Sequence, residues 1–160
     1  MKNIAVYAGT FDPITFGHID LVERAIRIFD EVIVAIAKSP NKKPLFSLEE
    51  RVQLATDALS MHKSVNVFGF DSLLLDFAKA HNANVILRGL RGVTDFDYEL
   101  QLASMNRHLS PTIESIFLMP AENYMYVSAS LVREIALLNG DVSGFVPPGV
   151  LLALKNKCGR

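Results

Sequence analysis

Short apolar runs alternate along this chain with longer stretches in which apolar residues recur every three or four positions. The first pattern is typical of strands and the second of amphipathic helices. Residues 32–36 are apolar without a break, as in a parallel strand that is buried on both faces. Strands that alternate with helices favour right-handed crossovers and a parallel sheet. The sequence therefore predicts an α/β fold, a Rossmann-like doubly wound sheet of about five parallel strands with helices on both faces. The predicted strands are residues 4–7, 32–36, 65–68, 85–87 and 113–118.

Local signals also predict two helix ends. Ser47 followed by Glu50 forms a capping box, in which each side chain accepts a hydrogen bond from an otherwise unpaired N–H group. The pair Asn139-Gly140 follows the last apolar positions of another predicted helix, and glycine adopts the left-handed conformation without steric cost. We therefore expect one helix to begin after Ser47 and another to end at a left-handed Gly140.

Composition excludes several classes of protein. The chain of 160 residues suits a single domain over residues 1–160, and its net charge of −1 lacks the basic excess of a general nucleic-acid binder. Cys158 is the single cysteine, which excludes an intramolecular disulfide and a cysteine-rich metal site. No uncharged apolar run approaches the ~18 residues that span a bilayer, and the N-terminal apolar stretch is too short for a signal peptide. We therefore expect a cytoplasmic protein with no membrane and no nucleic-acid partner.

Polar or basic segments follow four of the predicted strands, at residues 9–18, 38–43, 88–91 and 121–130. In a parallel sheet, ligands bind beyond the carboxyl ends of the strands, where the N-termini of the following helices also point. The four segments should therefore converge on one edge of the sheet. Small basic clusters in a neutral chain suit a small anionic ligand better than a polymer.

The first of these segments, GTFDPITFGH at residues 9–18, has the features of a phosphate-binding loop. Gly9 and Gly17 permit a close backbone approach, and the unpaired N–H groups of a helix that starts near Gly17 favour an anion. Thr10 can donate a hydroxyl and His18 an imidazole N–H. The segment matches neither the P-loop nor the dinucleotide fingerprint. Taken alone, His18 could equally be a surface residue.

The ordered string T-F-D-P-x-x-x-G-H resembles the nucleotidyltransferase superfamily that carries the [HT]xGH motif, here Thr15-Phe16-Gly17-His18. Further strings resemble the bacterial phosphopantetheine adenylyltransferases along essentially the whole chain. They are SPNKKP from residue 39, SLEER from 47, RGLR from 88, YE from 98, QLA from 101, MNR from 105 and VSAS from 127.

The resemblance implies transfer of the adenylyl group of ATP to 4′-phosphopantetheine, which gives dephospho-coenzyme A and pyrophosphate in the penultimate step of coenzyme A biosynthesis. The implied reaction is a direct in-line attack without a covalent enzyme intermediate. The resemblance further implies Mg²⁺ as cofactor, held mainly by the ATP phosphates with no protein metal site. It also implies a homohexamer and coenzyme A as a feedback inhibitor.

The same resemblance assigns residues to roles. It makes His18 a stabiliser of the transition state at the α-phosphate. It lets Thr10, Lys42 and Arg88 orient the phosphate of phosphopantetheine, while Leu74 lines the pantetheine channel. Around ATP it places Thr10, Phe11, His18, Gly89, Leu90, Arg91, Glu99, Tyr124, Met125, Tyr126, Val127, Ser128, Ala129 and Ser130. Of the two serines near this last helix start, we expect Ser130 to be the better placed cap.

Other readings of the cationic residues stay open. Arg88 and Arg91 could pair with Asp95, Asp97 or Glu99 as a structural network. Guanidinium groups just past a buried strand still favour an anion, because they match phosphate bidentately. Lys38 and Lys43 are expected to be solvated surface charges.

The chain departs from the family pattern at three positions. Thr15 replaces a histidine that is common in the superfamily, Ala129 replaces a common serine, and Arg133 replaces a common lysine. Two alternative functions also stay open. One is the same chemistry with another acceptor, as a nicotinate-mononucleotide adenylyltransferase or glycerol-phosphate cytidylyltransferase. The other is a catalytically silent nucleotide-binding module.

Overall fold

The computed structural model describes residues 1–159 and contains five strands, six α-helices and two 3-10 turns among them. The strands are β1 (Ile4–Gly9), β2 (Glu31–Ala37), β3 (Val65–Phe70), β4 (Val85–Gly89) and β5 (Glu114–Leu118). The helices are α1 (Phe16–Ala25), α2 (Leu48–Ala58), α3 (Leu74–Ala80), α4 (Val93–Leu109), α5 (Ala129–Leu137) and α6 (Pro148–Lys157). The 3-10 turns are Pro40–Lys42 and Glu122–Tyr124.

All neighbouring strands of the sheet are parallel, in the order β3-β2-β1-β4-β5. Consecutive residues of a strand point to opposite faces, so one strand contributes to two cores. Tyr7 and Val34 pack with α1, α2, α5 and α6 on one face, whereas Val6 and Ile33 pack with α3 on the other. Residues 32–36 of β2 are buried on both faces, as their unbroken apolar run predicts. The predicted doubly wound α/β sheet is confirmed.

The chain order of the strands reverses between β1 and β4, which are neighbours in the sheet. From β1 the chain winds outward through β2 to β3, and then crosses the sheet to β4 and β5. At such a reversal the connections on either side diverge and leave a crevice at the carboxyl ends of the strands. The fold therefore places a crevice between the segments that follow β1 and β4.

The helix ends confirm one local prediction and correct another. The Ser47–Glu50 capping box forms at the start of α2, with the Ser47 N–H donating to Glu50 and the Glu50 N–H donating to Ser47 Oγ. After α5 the left-handed residue is Asn139, with φ +68°, so the prediction of a left-handed Gly140 is wrong. Gly140 instead donates its N–H to the Ile135 carbonyl at 2.8 Å, and a Cβ on it would collide with the Ile135 side chain. The glycine is needed for that close approach.

No helix within residues 1–159 is both long enough and apolar enough to cross a membrane.

Candidate active site

A cavity of about 310 Å³ lies at the carboxyl ends of β1 and β4. Its walls come from the four polar segments that the sequence predicts to converge there, and the structure confirms that convergence. Thirteen of the residues that the resemblance assigns to the site line this cavity: Thr10, Phe11, His18, Lys42, Arg88, Gly89, Arg91, Glu99, Tyr124, Val127, Ser128, Ala129 and Ser130.

Four assigned residues lie outside the cavity wall. Leu74 begins α3 and packs on the core cluster of the opposite sheet face. Leu90 is half-buried and donates its N–H to the Leu118 carbonyl. Met125 follows the second 3-10 turn, and Tyr126 is exposed with its ring edge-on to Phe145. Their assigned roles remain predictions.

The start of α1 fixes the tautomer of His18. Thr15 is the N-cap: its hydroxyl accepts the His18 N–H, and its own backbone N–H donates to His18 Nδ1 at 3.0 Å. A backbone N–H can only donate, so Nδ1 is the unprotonated nitrogen and Nε2 carries the proton. Burial, together with the nearby Arg91 charge, lowers the pKa of His18 to about 4. The site therefore holds a neutral imidazole whose remaining donor is Nε2–H.

Aromatic packing holds the His18 ring and explains Gly9. The Phe11 ring lies 4.7 Å from the His18 ring, centroid to centroid, and meets Tyr7 edge-on. Phe11 has a φ of +47°, a strained conformation for a non-glycine residue. A Cβ on Gly9 would lie 3.0 Å from the Phe11 ring. A side chain at position 9 would therefore press on the ring that supports His18.

Arg88 is held at the cavity wall by a buried carboxylate. Its Nε and Nη2 donate to Glu99, with the shortest distance 2.8 Å, and Nη1 donates to the Ala8 carbonyl at 3.0 Å. Burial opposes the charge of Arg88, but the hydrogen bonds and charge of Glu99 outweigh it and raise the pKa. Glu99 is 7% exposed, so its main contact is this ion pair. The structural network that the sequence left open for Arg88 therefore exists, and the guanidinium still faces the cavity.

Arg91 and Lys42 complete the cationic wall in different ways. Arg91 pairs with Asp95 at 3.4 Å and donates to the Val127 carbonyl. Lys42 is exposed, and among residues 1–159 no carboxylate lies within ion-pair distance of its ammonium. Lys42 is therefore available to an incoming anion without giving up a partner. Lys38, which was expected to be solvated, forms an exposed ion pair with Asp71 at 2.8 Å.

The N-terminus of α5 forms the facing wall. Ser128 is its N-cap, with Oγ accepting the Leu131 N–H at 3.1 Å, so the prediction of Ser130 as the cap is wrong. The helix begins two residues earlier than that prediction requires, and the Ser130 hydroxyl accepts a hydrogen bond from Arg133 instead. Arg133 also donates to the Asp12 carbonyl and lies 3.5 Å from the Asp12 carboxylate. The departure from lysine to arginine thus keeps the positive charge at the cavity wall and lets one side chain contact both Asp12 and Ser130.

Sequence reasoning missed three residues of the wall. Tyr7 is 5% exposed beneath Arg88 and Arg91, and burial raises the pKa of its hydroxyl, which stays protonated. Thr15 acts as the N-cap; its spacing to His18 follows the capping-box pattern with histidine in place of Glu or Gln, and that signal could have been found. Asp12 is 1% exposed and accepts two backbone N–H groups. A turn such as Asp12-Pro13 gives no sequence signal for that role.

Among residues 1–159, no three His, Cys, Asp or Glu side chains are grouped so that they could hold a metal ion. The cavity carboxylates are already engaged: Asp12 by two N–H groups, Asp95 by Arg91 and Glu99 by Arg88.

Comparisons with known proteins agree with this geometry. A family model described as cytidylyltransferase-like matches residues 6–135. A phosphopantetheine adenylyltransferase from Stenotrophomonas maltophilia (strain K279a) is 60% identical over 154 residues, 96% of this chain and 91% of the relative. One from Thioalkalivibrio sulfidiphilus (strain HL-EbGR7) is 60% identical over 159 residues, 99% of this chain and 100% of the relative.

Among solved structures, a bifunctional NMN adenylyltransferase/ADP ribose pyrophosphatase from Francisella tularensis matches with a TM-score of 0.72 at 18% identity. The match covers 100% of this chain and 51% of that longer one. At this level of identity the likeness shows the fold alone.

Proposed function

The chain belongs to the cytidylyltransferase-like family and, within it, to the phosphopantetheine adenylyltransferases, and from this premise we propose that it transfers the adenylyl group of ATP to 4′-phosphopantetheine. The products are dephospho-coenzyme A and pyrophosphate. The observation that carries the proposal is the neutral His18 imidazole, held with Nε2–H as its remaining donor in a cavity lined by Lys42, Arg88, Arg91 and Arg133.

The proposed reaction is one direct displacement. A phosphate oxygen of phosphopantetheine attacks the α-phosphorus of ATP in line, and the bond from that phosphorus to the β-phosphate oxygen breaks as pyrophosphate leaves. The attacking phosphate is already ionised at neutral pH, so no protein base is required. Catalysis then rests on positioning the two phosphates and on stabilising charge in the transition state. A neutral donor such as His18 can hydrogen-bond the α-phosphate of the transferred adenylyl group without transferring a proton to it.

The walls of the cavity divide between the two substrates. We assign Thr10, Lys42 and Arg88 to the acceptor phosphate. Thr10 and Lys42 follow β1 and β2, Arg88 lies next to the end of β4, and all three line the cavity. The start of α5 is assigned to the ATP phosphates, since the helix N-terminus and Arg133 favour an anion there. Mg²⁺ would neutralise the β- and γ-phosphates and is carried by the nucleotide. No step assigned to the protein depends on the metal.

We also propose that the enzyme is a homohexamer inhibited by coenzyme A. The apolar side chains of α4 support assembly: Val93 is 88% exposed and Leu100 is 51% exposed. Coenzyme A contains both a pantetheine phosphate and an adenylyl group, so it can occupy the cavity in place of both substrates.

A panel of acceptors tests the reaction. The protein is incubated with ATP, Mg²⁺ and either 4′-phosphopantetheine, nicotinate mononucleotide or glycerol phosphate, with CTP in place of ATP for a further arm, and pyrophosphate is measured. We expect turnover with ATP and phosphopantetheine alone. Turnover with another acceptor but not with phosphopantetheine would reject the proposed acceptor. Binding of ATP without any turnover would favour the silent binding module.

A further inference from the structure

Arg51 is a buried cation next to the cavity that the function described so far does not use. It lies in the second turn of α2 and is 1% exposed. Its Nη1 donates to the carbonyls of Thr10 at 2.8 Å and Ala37 at 2.7 Å, and its Nη2 donates to the Lys38 carbonyl at 3.2 Å. Its Nε donates to the Phe46 and Ser47 carbonyls. The guanidinium is therefore surrounded by backbone carbonyls from three segments of the chain.

The carbonyls of Thr10, Ala37 and Lys38 lie where the pairing of β1 with β2 stops. The last pair in the register of the two strands is Gly9 with Ile36, and beyond it each strand continues into its own loop. Carbonyls at such a point have lost their partners in the sheet and are costly to bury unpaired. One nitrogen of Arg51 bonds both Thr10 and Ala37, so this side chain sets the separation of the two loops.

Asp12 holds the other end of the loop that connects β2 to α2. Its two carboxylate oxygens accept the N–H groups of Leu45 at 2.8 Å and Phe46 at 3.0 Å. The loop that carries Lys42 is thus held at its start by Arg51 and at its end by Asp12.

That loop needs external support because its own backbone is strained. Ser39 and Lys43, which flank the 3-10 turn, have φ values of +51° and +44°. Left-handed conformations are unfavourable for non-glycine residues and persist only where the surroundings fix them. At the start of this loop, the side chain of Thr10 adds only a long hydroxyl contact of 3.4 Å to Ser39.

We propose that Arg51 and Asp12 are positioning residues. They hold Thr10 and Lys42 at the distance from each other at which both can contact the acceptor phosphate. The inference rests on the proposed function, because it takes these two residues as the acceptor-phosphate contacts. Lysine cannot replace Arg51: its ammonium is a single point with three donors, whereas the planar guanidinium reaches carbonyls on several sides. Arg51→Lys keeps the charge and loses the bridge.

The test is the KM for each substrate in Arg51→Lys and Asp12→Asn. We expect the KM for 4′-phosphopantetheine to rise about tenfold or more in both variants, which corresponds to a loss of about 1.4 kcal/mol of binding free energy. The KM for ATP should stay within about threefold in Arg51→Lys. Asp12→Asn is judged by the acceptor KM alone, because the Asp12 carboxylate also lies 3.5 Å from Arg133, which is assigned to the ATP phosphates. Arg107→Lys is the matched control, because Arg107 forms an exposed ion pair with Glu114 outside the cavity. Val150→Ala, a buried change in α6, controls for general destabilisation and should alter neither KM selectively.

An acceptor KM within twofold of the wild type in a folded Arg51→Lys, or an equal rise for both substrates, would overturn the inference. If Arg51→Lys does not fold, Asp12→Asn decides: an acceptor KM within twofold of the wild type in that variant would overturn the inference.

A second readout separates this inference from the proposed function. Inorganic phosphate is titrated into each protein, and the NMR shifts of the Thr10 and Lys42 amides are followed. We expect about tenfold weaker phosphate binding in Arg51→Lys whatever the natural acceptor is. A wild type that fails to turn over phosphopantetheine would reject the proposed function, and unchanged phosphate affinity in the variant would reject the inference.

Discussion

The imidazole of His18 accepts a hydrogen bond at Nδ1 from the Thr15 backbone N–H and rests against the Phe11 ring. Two independent causes therefore favour its neutral form: a donor that occupies the free nitrogen, and burial that lowers its pKa to about 4. The residue is a fixed hydrogen-bond donor at neutral pH. Taken alone, the sequence left open whether His18 is a surface residue, and only the family resemblance predicted that it stabilises a transition state.

The first prediction at the residue scale concerns His18→Ala. If Nε2–H stabilises the α-phosphate of the transferred adenylyl group, its removal should lower kcat by roughly 10²–10³ and leave the Kd for ATP within about tenfold. Steady-state kinetics and calorimetric titration with ATP give the two quantities. His108→Ala is the control, since His108 is exposed on α4 and outside the cavity wall. A loss confined to ATP affinity would show that His18 only binds.

The second residue-scale prediction concerns pH and stability. A pKa of about 4 in the folded state lies below the unfolded value of 6.5, so between these pH values the unfolded chain binds more protons. The contribution of His18 is therefore fully present above pH ~6.5 and is lost as the pH falls toward ~4. Relative to His18→Gln, we expect the free energy of unfolding to fall by about 1–3 kcal/mol over this range. Urea denaturation at several pH values measures this free energy for both proteins. If it has the same dependence on pH in the wild type and in His18→Gln, the prediction is contradicted.

At the element scale, the start of α1 joins helix capping to the orientation of the His18 ring. The capping box of Thr15 and His18 satisfies first-turn N–H groups and orients the imidazole with the same hydrogen bonds. This also explains threonine at position 15: its hydroxyl is the acceptor that a helix start favours. The departure from histidine is therefore a structural solution in this chain.

We predict that Thr15→Val lowers the free energy of unfolding by about 1 kcal/mol through loss of the cap. The same change should lower kcat about tenfold, because the imidazole loses the hydroxyl that fixes its edge. Valine keeps the shape of the buried side chain, so packing is matched. Thr15→Ser restores the hydroxyl and should keep kcat within about twofold. Thermal unfolding and steady-state kinetics check both effects; an unchanged kcat in Thr15→Val would separate the cap from catalysis.

At the scale of the whole molecule, α4 has its faces reversed relative to an ordinary surface helix. Glu99 and Asn106 are buried, whereas Phe96, Leu100 and Leu109 are about half exposed or more. The inward carboxylate holds Arg88, which accounts for part of this reversal. The outward apolar side chains have no counterpart within residues 1–159, and association would remove them from water.

We predict that the wild type forms a complex of six chains and that Phe96→Glu dissociates it. Burying an unpaired carboxylate in an apolar contact costs several kcal/mol, which is enough to lower the affinity at least a hundredfold. Light scattering coupled to size exclusion gives the mass, and Phe96→Leu is the control that keeps an apolar side chain. A monomeric wild type, or an unchanged mass for Phe96→Glu, would contradict the proposed assembly.

Much of the fold and of the cavity wall followed from the sequence. The apolar periods of strands and helices can be read from residues that are close together in the sequence. Once the strands are known to be parallel, the loops that follow them must lie at the same edge of the sheet. These patterns therefore predicted the sheet and the meeting of Thr10, His18, Lys42 and Arg88. The resemblance of the motifs to the phosphopantetheine adenylyltransferases is confirmed by relatives at 60% identity.

Tertiary structure alone decided how those side chains are held. Arg51 meets Thr10 across 41 positions of sequence, and Arg133 meets Asp12 across 121. Such contacts leave no periodic signal, because they arise only when distant loops are brought to the same sheet edge. The neutral form of His18 and the pairing of Arg88 with Glu99 depend likewise on burial in the folded chain. The sequence by itself therefore determined most of the groups that reach the cavity, whereas packing determined their charge state, partners and spacing.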